Sequence, residues 1–257
     1  MVCAPGAMQI DLTGRVAVIT GAARGIGAGL VAAFADAGAA VLALDRDEPA
    51  ADARPPGNRV AHHTVDVARW EEVADAAAQA VRRWGRLDVW INCAGVFPYA
   101  RLGDVTADQM TTTFAVNVHA AVAGAQAAAE HLTKGGSVIN ISSIAAARAR
   151  AGRLAYGTSK AALEHATRAL AVEFAPRGVR VNAVAPGYID TAMLDWARGD
   201  GGLSDLASRE VWLGRIGEVG DVANASLFLA SDAASYITGA VLPVDGGLRA
   251  AAGGSMP

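Results

Sequence analysis

The chain has 257 residues, 53% of them hydrophobic, 18% charged and 5% aromatic, with a formal net charge of −3. Such a chain can bury a large core, which excludes disorder as its main state, and its slight negative charge offers no basic field to hold a nucleic-acid backbone. The most apolar stretch, 28–44, is broken by Asp36 and Gly38 and falls short of the roughly 18 uninterrupted apolar residues of a membrane span.

The segment 1–11 has neither a basic start nor an apolar core of the export type. Two cysteines, Cys3 and Cys93, make no disulfide framework, so a reducing cytosol is the expected location. Short continuous apolar runs then alternate with longer amphipathic segments, the pattern of a parallel sheet buried on both faces. Strands are predicted over 15–20, 40–44, 59–65, 87–92, 136–142, 179–184 and 240–245, with helices beginning near Gly25, Trp70, Ala107, Tyr156 and Asp221. The strand-helix-strand unit repeats without a linker, so 1–257 reads as one domain. Pro243 cannot donate to a ladder, which sends the last strand to a sheet edge. The interval 188–217 shows no clear element and is expected to be a substrate lid.

The first strand runs into Thr20-Gly21-Ala22-Ala23-Arg24-Gly25-Ile26-Gly27. Glycines there permit positive φ and bring backbone N–H groups close to a pyrophosphate, while the following helix offers its positive end. The spacing is not the common G-x-G-x-x-G, and a purely structural turn would also use glycine. Eighteen residues beyond Gly27 stands Asp45, placed to accept ribose hydroxyls at the end of the second strand. A carboxylate there repels a 2′-phosphate, so NAD is expected. NADP is the lesser alternative, because Arg24 or Arg46 could pair with that phosphate.

Tyr156-Gly157-Thr158-Ser159-Lys160 is the most informative spacing. Residues four apart share a helix face, which puts the Lys160 ammonium beside the Tyr156 phenol. A free phenol has a pKa near 10 and must fall by about 3 units to exchange protons readily at neutrality. A neighbouring ammonium, with the charge of an oxidised nicotinamide, is of the right order to supply that fall. Ser143 ends the fifth predicted strand, at the edge of the crevice where such sheets bind ligands. The five histidines show neither a nucleophilic triad nor metal-ligand spacing, so no metal is expected. Arg148, Arg150 and Arg153 lie between Ser143 and Tyr156 and suit a solvated or interface role, with an anionic substrate as the alternative.

Together these elements resemble the short-chain dehydrogenase/reductase family, over about 12–247. The glycine turn matches at Thr20, Gly21, Gly25 and Gly27. Asp66 and Val67 look like the adenine-contacting pair, and Asn92-Cys93-Ala94-Gly95 is similar to the family's Asn-Asn-Ala-Gly, departing at Cys93. Asn117, Ser143, Tyr156 and Lys160 match the catalytic tetrad, and Pro186, Gly187, Ile189 and Thr191 the segment that meets the nicotinamide carboxamide. The resemblance implies a doubly wound Rossmann-type parallel sheet of about seven strands flanked by helices on both faces. It implies that Tyr156 is the general acid/base, Ser143 polarises the carbonyl, Lys160 lowers the tyrosine pKa and holds ribose, and Asn117 holds a relay water. A homotetramer built on helices 107–132 and 156–175 is also implied.

The expected reaction is hydride transfer between NAD and a small secondary alcohol or ketone. The apolar residues Met193, Leu194, Trp196, Leu203, Leu206, Trp212 and Leu213 of the lid, with Phe97, Pro98 and Tyr99, suggest an apolar pocket. Two alternatives are an NADPH-dependent 3-oxoacyl-thioester reductase, opposed by Asp45, and a non-catalytic dinucleotide-sensing regulator, opposed by the complete tetrad.

Overall fold

The computed structural model describes residues 10–48, 58–197 and 202–250. Its centre is a seven-stranded sheet in the order β3-β2-β1-β4-β5-β6-β7, with every neighbouring pair parallel. The strands are β1 (Val16–Thr20), β2 (Ala40–Asp45), β3 (Val60–Thr64), β4 (Val89–Asn92), β5 (Ser137–Ile141), β6 (Arg180–Pro186) and β7 (Val241–Val244). All seven predicted strands are present, and β7, carrying Pro243, is at the edge. The helices are α1 (Gly25–Asp36), α2 (Trp70–Trp84), α3 (Ala107–Phe114), α4 (Ala120–Ala129), α5 (Leu154–Phe174), α6 (Gly202–Glu210) and α7 (Val219–Ala230).

Alternation along the buried strands sorts side chains onto two faces. Val16 and Val18 join Leu42, Leu44 and Trp90 under the alanines of α2 and α4. Ala17 and Ile19 join Val41, Ala43 and Ile91 beneath Leu30 and Phe34 of α1 and Val222 and Leu229 of α7. Small side chains on α2 and α4 allow those helices to approach closely, which is where the alanine content goes. Strand order reverses between β1 and β4, so the carboxyl ends of these two strands flank the crevice in which such sheets bind ligands.

Two predicted features are corrected. The helix expected over 107–132 is α3 and α4 joined by a wide π-helical turn, Ala115–His119, in which the Ala120 N–H reaches back five residues to the Ala115 carbonyl. The interval 188–217 is not structureless: Ala192–Ala197 forms a 3₁₀ turn and α6 follows. No described helix is long and apolar enough to cross a membrane.

Candidate active site

The turn from β1 into α1 is closed by glycine. A Cβ on Gly27 would stand 1.9 Å from the Gly21 carbonyl oxygen, and one on Gly21, which has φ +67°, would stand 2.6 Å from Ala94 Cα. The first position permits the tight turn and the second lets β1 approach the 92–95 segment. Thr20 fixes that approach: its hydroxyl oxygen accepts from the N–H groups of Cys93 and Ala94, at 3.0 and 3.1 Å. The N-terminus of α1 has no side-chain cap and no acidic residue in its first turn. Its free N–H donors and positive end, with Arg24, Gly25 and Ile26 at the rim, suit an external anion.

Asp45 ends β2 against this turn. Its carboxylate accepts from the Ala23 N–H at 2.9 Å and from the Asp47 N–H at 3.0 Å. A cleft beside it is lined by Ala22, Ala23, Asp45, Asp47, His62, His63 and Thr64. Arg24 and Arg46, the two cations that could greet a 2′-phosphate, both stand near Asp47, at 3.7 and 3.9 Å. Asp66 follows β3 and turns its carboxylate to the Ala68 N–H, and Val67 is buried beside it.

The Asn92 side chain is engaged within the fold. Its amide donates to the Ala121 carbonyl and to Asn140 Oδ1, while its own Oδ1 accepts from the Trp90 indole. The side chain assigned to a cofactor contact is spent clamping β4 to β5 and α4. Asn140 extends the ladder by donating to Thr167 on α5.

Asn117, Ser143, Tyr156 and Lys160 come together at the carboxyl ends of β4 and β5, all buried. Ser143 precedes a 3₁₀ turn; its oxygen accepts from the Ala145 N–H at 3.1 Å, and its hydroxyl is hydrogen-bonded with the Tyr156 phenol. Lys160 donates to the Ile141 carbonyl at 2.8 Å, and its ammonium lies 5.8 Å from the Tyr156 ring centre. Phe97 meets the Tyr156 ring edge to face, with centroids 4.7 Å apart. Asn117 sits in the π-helical turn; its amide exchanges hydrogen bonds with the Val96 backbone and donates to Ser159, whose hydroxyl in turn donates to the Tyr156 carbonyl. Both amide protons of Asn117 are thereby used, so its side chain braces the helical turn that carries the tyrosine.

Electrostatics depart from the sequence expectation. Burial pushes the Tyr156 phenol above its ordinary value, opposed by a hydrogen bond from Ser143 and the charge of Arg153. Burial also lowers Lys160 to about 8, and it pushes the Cys93 thiol up to about 12. The chain alone therefore holds the phenol protonated, because desolvation outweighs the nearby cations.

The geometry has counterparts among known proteins. A family model described as enoyl-(acyl carrier protein) reductase matches residues 21–249, and the matches include a curated relative and solved structures named as short-chain dehydrogenase/reductases. The chain belongs to the short-chain dehydrogenase/reductase family. An uncharacterized oxidoreductase of Mycobacterium tuberculosis is 43% identical, over 92% of this chain and 93% of that one. The cis-4-hydroxycyclohexanecarboxylate dehydrogenase of Sinomonas cyclohexanicum is 38% identical, over 92% and 97%. A solved short-chain dehydrogenase/reductase of Serratia marcescens superposes with a TM-score of 0.84 at 35% identity, covering 93% and 99% of the two chains.

Short-chain dehydrogenase/reductases use nicotinamide dinucleotides, and the uncapped α1 terminus and the glycine cradle fit such a group. Thr191 packs over the turn, with its Cγ2 3.5 Å from where a Gly25 Cβ would be. Pro186 and Gly187 end β6, and the Gly187 N–H donates to the Val244 carbonyl. Ile189 is buried and bridges to Gly217. Among the described residues no group of three or more His, Cys, Asp or Glu side chains could hold a metal ion.

The 188–217 segment of this short-chain dehydrogenase/reductase is seated by contacts that spacing does not show. Leu194 and Val211 bury with Ile144, Tyr188 and Leu248, whereas Met193 and Leu213 are exposed. One oxygen of Glu210, on α6, receives the Tyr188 hydroxyl at 3.1 Å, the Arg150 guanidinium and, at 3.6 Å, Arg148. Arg153 stacks its guanidinium 5.3 Å from the Phe97 ring centre. These arginines were expected to be solvated or at an interface; the first two instead tie the segment before Tyr156 to α6. Trp196 lies where only its backbone is described.

Proposed function

We propose that this chain is an NAD-dependent secondary-alcohol dehydrogenase, able to run in reverse as a ketone reductase. The observation that carries the reading is the convergence of Ser143, Tyr156 and Lys160 beside the glycine turn. Asp45, which ends β2 with one carboxylate oxygen on the turn's Ala23 N–H and the other on the Asp47 N–H, places a negative charge beside the turn and supports NAD over NADP. The name of the Sinomonas relative, a dehydrogenase of a ring alcohol, supports a CH–OH substrate.

Gly21, Arg24, Gly25, Ile26 and Gly27 would hold the pyrophosphate, Asp45 the adenosine ribose, and Asp66 and Val67 the adenine. Ala94, Gly95 and Lys160 would meet the nicotinamide ribose, and Pro186, Gly187, Ile189 and Thr191 the carboxamide. Bound there, the oxidised dinucleotide supplies the hydride acceptor. Ser143, hydrogen-bonded to Tyr156 before substrate enters, turns its hydroxyl to the substrate oxygen and holds it against Tyr156. Tyr156, once deprotonated, takes the alcohol proton. Lys160 supplies the positive charge that makes the phenolate tolerable in a buried site. Asn117 keeps that helical turn in place through Ser159. Burial of the pair excludes water, which strengthens each of these contacts.

The family's commonly oligomeric habit extends the proposal to a cytosolic homotetramer closed over α4 and α5, checked by light scattering on the purified protein. For the activity, the test is initial rates on a panel of secondary alcohols and ketones with each cofactor, followed by reduced-nicotinamide absorbance. NAD-linked oxidation is expected. Absence of turnover with either cofactor across the panel would overturn the reading.

A further inference from the structure

We infer that the alcohol or ketone handled at this site carries a carboxylate, held by Arg150 and Arg148. This rests on the dehydrogenase reading for its site but not for its test.

The two guanidinia are only 30% and 26% exposed, and they share one acid partner, Glu210, itself 20% exposed. Two cations against one carboxylate leave a unit of positive charge, partly screened from water, to which an incoming anion is complementary. Both forks are half used. Arg148 engages Nη1, on Glu210 and the Leu248 carbonyl, and Arg150 engages Nη2, on Glu210. Among the described residues nothing accepts from the remaining Nε and Nη groups, and a guanidinium offers five N–H donors in a geometry that matches a carboxylate two at a time.

Their place makes them a substrate feature. Arg150 stacks 5.7 Å from the ring centre of Tyr188, which follows the Pro186-Gly187 end of β6. Its charge is felt at the Tyr188 phenol, and that of Arg153 at both Tyr188 and Tyr156. The cationic cluster thus spans from α6 to the reacting phenol, beside the buried apolar cluster of Ile144, Tyr188, Leu194 and Val211. A neutral ketone would gain nothing from it. A hydroxy or oxo acid would place its oxygen at Ser143 and Tyr156 and its carboxylate on the unused edges of the forks.

The test compares 3- and 4-hydroxycyclohexanecarboxylate with their methyl esters as substrates, and titrates unreactive cyclohexanecarboxylate into the NAD-saturated protein by calorimetry. The acid-to-ester ratio of kcat/KM is expected to be about tenfold or more, the effect of a charge-assisted contact. Arg150→Gln should bring that ratio close to one and weaken cyclohexanecarboxylate by a similar factor. Arg150→Lys, which keeps the charge without the fork, should fall between. A structural loss at Arg150 would lower acid and ester together and leave the ratio unchanged. An unchanged ratio, equal use of acid and ester by the unaltered protein, or no binding of cyclohexanecarboxylate overturns the inference while dehydrogenase activity stands. Arg150-dependent binding without turnover of any alcohol keeps the anion site and overturns the dehydrogenase reading instead.

Discussion

The Lys160 ammonium donates to the Ile141 carbonyl at 2.8 Å and stands 5.8 Å from the centre of the Tyr156 ring. The lysine is therefore anchored to the strand end and acts on the phenol through space. Burial of both groups works against their charged forms, so the acidity that catalysis needs has to be completed by a bound positive charge and a substrate oxygen. Proton exchange is then confined to the complex in which it is useful.

If Tyr156 carries the proton, Tyr156→Phe removes one oxygen and leaves the packing against Phe97. Turnover should fall by about 10³-fold, within the range for loss of a general acid/base, while NAD affinity by fluorescence titration changes little. Substantial remaining turnover would move the proton to another group.

Lys160 gives a stability prediction with a definite sign. Its pKa falls from 10.5 to about 8 in the folded chain, a differential of about 3 kcal/mol against the charged form. Below pH 8 lysine is charged in both states, and the folded state bears the full burial penalty. Between pH 8 and 10.5 the unfolded chain holds the extra proton, so stability rises with pH and the penalty disappears. Lys160→Met should lack that dependence. Part of the gain offsets the donor lost by Ile141, so a net increase of about 1–2 kcal/mol at pH 7 is expected. In thermal melts this corresponds to roughly 2–6 °C at pH 7; by pH 10.5, where the penalty is gone and the lost donor remains, the variant should instead be the less stable by about 1–2 kcal/mol, and activity is lost throughout. A lower melting temperature at pH 7 would show that the buried charge is not a burden.

In the proposed NAD-dependent reading, Asp45 sets cofactor choice by repulsion as well as by hydrogen bonding. Arg24 and Arg46 are well exposed, and their pairs with Asp47 are long, so holding them there contributes little. In Asp45→Ala they are free to turn to a 2′-phosphate. The NAD-over-NADP ratio of kcat/KM should narrow by about tenfold or more. An unchanged ratio would assign the choice to other residues.

Much of this was legible in sequence, for a physical reason. Strands buried on both faces must be apolar throughout, and β1, β2, β4 and β5 stand out as such runs. Tyr156 and Lys160 were legible because helical spacing alone sets them side by side. The π-helical turn at Ala115–His119 was not, since nothing in Phe114-Ala115-Val116-Asn117-Val118 departs from helix-forming composition; the wide turn follows from the Asn117 contacts with Val96 and Ser159. Nor was the attachment of Arg150 to Glu210, 60 residues on, because ion pairs between distant segments leave no periodicity. Nor does the Asn92 motif show the partners of its side chain, which come from α4 and β5.

Thr20 was read only as the opening of the glycine turn, yet its hydroxyl is the acceptor for two successive backbone N–H groups, those of Cys93 and Ala94. The family's usual second asparagine is missing at Cys93, and this one oxygen ties the 92–95 segment to the turn. Thr20→Val keeps the side-chain shape and removes the acceptor, leaving two part-buried donors unpaired at about 1–3 kcal/mol each. A loss of roughly 2–4 kcal/mol in urea unfolding is expected, with weaker NAD binding if Ala94 and Gly95 meet the nicotinamide ribose as proposed. Thr20→Ser retains the oxygen and should restore most of both. If Thr20→Val unfolds at the same urea concentration as the unaltered chain, water has taken the place of the hydroxyl, and the segment is held by packing against Gly21 instead.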